Sequence, residues 1–74
     1  MEVMSGKVVD IPIIQDDNCI YEIEMNNKRY KVVSKDYQAV KDRIFVNKGQ
    51  IITITGEIIG DTIYSKTSNI RIRK

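Results

Sequence analysis

The sequence predicts an all-β fold, a small barrel of five strands with one short helix between the third and fourth. Three observations predict it. Apolar and polar residues alternate along much of the chain, the period of strands with one buried face. Turn-forming residues interrupt that alternation at Gln15-Asp16-Asp17-Asn18, Asn26-Asn27 and Gly60-Asp61. Only between Ser34 and Val46 does the apolar spacing become helical. At 74 residues the chain is a single domain. A domain of this size buries only about 60% of the surface its unfolded chain exposes. Closing the sheet on itself protects the strand edges that so small a core cannot cover.

The elements follow in order. From Lys7 to Ile14, Val9, Ile11 and Ile13 alternate with Val8, Asp10 and Pro12, which reads as a half-buried strand. Pro12 lacks a ladder donor, so that strand is bulged or interrupted there. Asn26-Asn27 suits a tight hairpin, because asparagine tolerates positive φ. That turn sets Met25 opposite Lys28, Glu24 opposite Arg29, Ile23 opposite Tyr30, Glu22 opposite Lys31 and Tyr21 opposite Val32. Tyr21, Ile23, Met25, Tyr30 and Val32 then face inward, while Glu22, Glu24, Arg29 and Lys31 form opposite-charge pairs outside. Tyr37, Val40 and Ile44 fall at i, i+3 and i+7 with Ala39 nearby, the expected buried stripe of a short helix capped by Ser34 or Asp36. Asn47-Lys48-Gly49 ends it, with Gly49 suited to a left-handed position. In the fourth strand Ile52, Ile54 and Ile58 share a face, and Gly56 between them marks a bend or bulge. After Gly60-Asp61 the fifth strand turns Ile70 and Ile72 inward. Val8, Val33, Ile51 and Ile59 are expected on the outside.

Strand, strand, strand, helix, strand, strand is the OB-type plan. The chain resembles that fold along its whole length. From Lys48 to Lys74 it is similar to the fourth and fifth strands of bacterial single-stranded-DNA-binding proteins and related primosomal OB subunits, through Lys48, Gly49, Ile52, Ile54, Gly56, Ile70 and Ile72. The length also resembles translation initiation factor one and S1-type RNA-binding domains, without a run matching their basic helical loop. The resemblance implies a barrel ordered 1-2-3-5-4-1, with strands three and five side by side. It also implies a setting in a DNA replication, repair or mobile-element assembly.

The composition argues against catalysis. There is no histidine, the commonest general base at neutral pH, and no Cys/His zinc site. Cys19, the single cysteine, cannot form an intramolecular disulfide, and Asp16 and Asp17 beside it disfavour a thiolate. Asp16-Asp17 offers far fewer oxygens than calcium takes, and no glycine loop is placed to cradle phosphate. No cofactor or metal is expected. The N-terminal residues lack the basic start and apolar stretch of a signal peptide, and no apolar run approaches a membrane span. A reduced, cytoplasmic protein is the expectation.

Binding remains. Residues 1–27 hold one base and six acids, net −5, and residues 28–74 hold eleven bases and four acids, net +7. Such asymmetry points to an anionic partner. In the order the resemblance implies, Lys28, Arg29 and Lys31 of strand three join Arg71 and Arg73 of strand five in one basic patch. Tyr64 is the best candidate for stacking on a base, with Lys66 two residues on and on the same face. The expected partner is single-stranded nucleic acid, DNA before RNA, contacted at Lys28, Arg29, Lys31, Tyr64, Lys66, Arg71 and Arg73. The alternative is an accessory subunit that docks a protein partner or a second copy of itself, and an RNA-binding translation factor stands third.

Overall fold

The computed structural model describes residues 1–70. Its elements are β1 (Glu2–Val8), β2 (Ile13–Gln15), β3 (Asn18–Met25), β4 (Lys28–Ser34), α1 (Asp36–Phe45), β5 (Ile51–Ile59) and β6 (Thr62–Ile70). The strands form one sheet in the order β1-β5-β6-β4-β3-β2. It closes where Lys7 and Val8 of β1 pair with Glu24 and Ile23 of β3. β1 and β2 are two pieces of one strand, broken around Asp10–Pro12. Counted so, the barrel has five strands ordered 1-2-3-5-4-1, the expected OB-type arrangement. β4 and β6 run parallel; every other pairing is antiparallel.

The turns form for local reasons. Asp16 and Asp17, then Asn26 and Asn27, hold φ between 52° and 65°, the left-handed values that two-residue hairpins require. Gly49 takes the positive φ expected of it, and Gly60 takes one in the Gly60-Asp61 turn. The β3–β4 register is the one the Asn26-Asn27 turn predicts, from Met25↔Lys28 to Tyr21↔Val32. In β5 the register shifts between Thr55 and Gly56, where a side chain on Gly56 would overlap the Tyr64 carbonyl.

Tyr21, Ile23, Val32, Ile52, Ile54 and Ile63 fill the barrel, with Met25, Tyr30, Ile58 and Ile70 packed against them. Met4 and Val8 join that core, so the first strand takes the opposite phase to the one its Val9, Ile11 and Ile13 alternation suggests. The cause is pairing. β1 sets Met4 opposite Ile54 and Gly6 opposite Ile52, and paired residues share a face. Val8 is therefore fully buried rather than outside, while Ile11 and Ile13 are 67% and 56% exposed beyond the break.

α1 also departs from its pattern. Tyr37, Val40 and Ile44 face solvent, and Ala39 and Asp42 face the barrel. Ala39 lets the helix approach closely, and the buried Asp42 carboxylate is held in a triangle of hydrogen bonds. Ser68 Oγ donates to Asp42 Oδ1 at 2.6 Å, and Gln38 Nε2 donates to the same oxygen at 2.7 Å and to Ser68 Oγ at 2.9 Å. Polar tethering fixes the helix orientation where the apolar spacing predicts the reverse. Neither Ser34 nor Asp36 is the N-cap: Lys35 occupies it, Ser34 is buried on β4, and Asp36 already lies in the first turn. Among the described residues no helix is long and apolar enough to cross a membrane.

Candidate nucleic-acid interface

The outer face of β2, β3, β4 and β6 is ordered in cross-strand rows. Ile13 pairs with Ile20, Ile20 with Val33, and Val33 with Tyr64, so one apolar row crosses four strands. The next row sets Glu22 beside Lys31 and Lys31 beside Thr62, and a third sets Glu24 beside Arg29. Tyr64, 46% exposed, ends the apolar row.

The tyrosine ring stands between two grooves. One, of about 330 Å³, is lined by Val33, Lys35, Gln38, Tyr64 and Lys66 among others. The second, of about 190 Å³, is lined by Met1, Gly56, Glu57, Tyr64 and Lys66. Tyr64 and Lys66 thus share both grooves, as their expected common face requires. At the other end of the row a third groove of about 260 Å³ runs beside Ile11, Ile13, Ile20, Glu22 and Lys31.

The expected bases differ in how free they are. Lys28 Nζ lies 2.9 Å from Asp61 Oδ1 and 5.5 Å from the centre of the Tyr30 ring. The Asp61 hydrogen bond raises the Lys28 pKa. Arg29 Nη1 lies 3.8 Å from Glu22 Oε1, its diagonal neighbour rather than Glu24 directly opposite. These are the two ion pairs among the described residues, so Lys31, Lys35 and Lys66 have no carboxylate partner there. Arg71 and Arg73 lie outside the described residues, as do Ile72 and Lys74.

Lys35, Ile13 and Ile20 escaped the sequence-level site. The Ile20–Val33 pair was legible, since it continues the register set by Asn26-Asn27. Ile13 joins the face through the β2–β3 hairpin, whose Asp16-Asp17 turn the sequence marks, whereas Lys35 joins it through the placement of α1, for which the sequence carries no local signal.

Cys19 is fully buried, away from this face. Burial, followed by the charge of Asp42, pushes its thiol up to about 11. Asp42 on the helix takes the part expected of Asp16 and Asp17. The Tyr21 hydroxyl is pushed upward too, first by burial and then by Asp42.

Compared with known proteins, the chain matches no family model and no curated protein.

Proposed function

We propose that this chain is a non-catalytic module that binds single-stranded nucleic acid, DNA in preference to RNA, on the outer face of β4 and β6. The observation that carries the reading is the half-exposed Tyr64 ring at the end of an apolar row, between two grooves that it shares with Lys66 and one of which Lys35 also lines. A tyrosine offers a stacking surface to any base, and lysines beside it with no ion pair among the described residues offer charge to the adjoining phosphates. Lys31, one row away, extends the track, and Lys28 and Arg29 add charge partly neutralised by Asp61 and Glu22. Arg71 and Arg73 add further positive charge in the sequence just after β6. A replication, repair or mobile-element assembly is the setting proposed with it.

Fluorescence anisotropy of a labelled oligonucleotide tests this. Log affinity should fall with log salt at a slope of about −0.7 for each phosphate contact on a single strand. Tyr64→Ala should weaken binding by about 1–3 kcal/mol, fivefold or more. Lys31→Glu with Lys66→Glu should reduce both the affinity and the slope. Absence of saturable binding at low salt would sink the proposal.

A second reading has its own support. The Ile13–Ile20–Val33 part of the row is apolar, and Glu22 and Glu24 stand beside it. An apolar strip edged by both signs of charge suits a protein partner, with electrostatics setting orientation and on-rate. Under that reading Ile20→Asp would abolish capture of the partner, and no oligonucleotide would bind.

A further inference from the structure

α1 presents to water the side chains its sequence spacing would bury. Tyr37 is 80% exposed, Val40 56%, Ile44 64%, and Phe45 beside them 57%. The first three lie along one line of the helix, opposite Ala39 and Asp42. The barrel end beneath is already closed by Ala39, Val46 and the Asp42–Ser68 bond, so the stripe has no partner among the described residues. A surface helix that turns its polar side inward and its apolar side outward has the pattern of a contact surface.

We propose that this stripe is the contact of a homodimer, two copies packing their α1 helices antiparallel about a two-fold axis near Val40. The stripe is self-complementary in that arrangement. Val40 lies midway between Tyr37 and Ile44, so each tyrosine meets the partner's Ile44. Charge complements it as well. Asp36 is the acid of the first turn and Arg43 the base of the last. Neither has an ion-pair partner among the described residues. Antiparallel packing brings each Asp36 to the partner's Arg43 and sets the helix dipoles in opposition.

Area fixes the strength. Four side chains exposed to this degree offer on the order of 500 Å² of surface, as large as the apolar patches monomers commonly leave open. Two such stripes bury about 1,000 Å², the lower limit for a specific interface. The dimer is therefore weak and concentration-dependent. Its contact contains neither Tyr64, Lys31 nor Lys66, but Asp36 also lines the groove beside Tyr64, so the dimer borders the proposed nucleic-acid face and would present two of them.

Sedimentation velocity from micromolar to millimolar protein tests it. The expected mass rises toward two chains with concentration. Val40→Glu with Ile44→Glu, both at exposed positions, should raise the dissociation constant at least tenfold while the circular dichroism stays that of the parent. Should that double variant fail to fold, Val40→Cys decides: under oxidation it should form a disulfide-linked dimer, and Lys66→Cys should not. Buried Cys19 does not compete. A single-chain mass at millimolar concentration, a dimer untouched by the glutamates, or equal cross-linking at both cysteines would each overturn the proposal.

Discussion

At the scale of single residues, the buried end of the barrel gathers groups that resist ionisation. Cys19 keeps its proton in the fold to about pH 11, whereas in the unfolded chain it ionises near its ordinary 9.0. Between those values the unfolded chain binds fewer protons, so stability falls as pH rises through the window. Tyr21, shifted in the same direction, adds to the loss at the alkaline end. Urea unfolding midpoints should therefore drop from below pH 9 to near pH 11, and Cys19→Ala should flatten the first part of that decline. The sequence foresaw a poorly nucleophilic cysteine beside negative charge. It named the wrong acids, because the approach of Asp42 to Cys19 is made by packing across the barrel end and not by neighbouring positions in the chain.

At the scale of elements, the hairpins and the helix behave differently. Each hairpin is specified within its own residues: positive φ at Asn26 and Asn27 fixes the β3–β4 register, and both strand faces agree with it. α1 is held by its side chains to another element. Ser68→Ala would remove the donor at 2.6 Å from Asp42 and leave a buried carboxylate short of a partner. A loss of about 1–3 kcal/mol is expected from such a change. Chemical denaturation measures it, and hydrogen exchange should show α1 amides losing protection before those of β3 and β4. Equal loss of protection in all three would assign the effect to the barrel as a whole.

At the scale of the molecule, charge is distributed so that one end of the β4–β6 face is restrained and the other is free. Asp61, in the turn between β5 and β6, engages Lys28 at 2.9 Å, and its carbonyl accepts the Lys31 backbone N–H at 2.9 Å. Lys35 and Lys66 flank Tyr64 at the opposite end of the face. Asp61→Asn should free Lys28 while the backbone bond remains, with little change in stability because both side chains are exposed. If the face binds nucleic acid, that substitution should tighten binding at low salt and steepen the salt slope by up to one phosphate contact. Unchanged affinity would place Lys28 outside the contact.

The sequence by itself determined the strand content, the helix position, the β3–β4 register, the turn residues and the bulge at Gly56. These depend on the alternation of side chains and on which residues tolerate positive φ, rules that act over a few neighbouring positions. Tertiary structure decided the phase of β1, the orientation of α1 and the composition of the outer face. Val8 is buried because β1 pairs with β5, Ile44 is exposed because Asp42 bonds to Ser68, and Tyr64 meets Val33 because β4 and β6 lie side by side. Each joins positions 26 or more residues apart. Local apolar spacing cannot see across that distance; barrel closure, which selects the pairings that bury the isoleucines together, makes the choice.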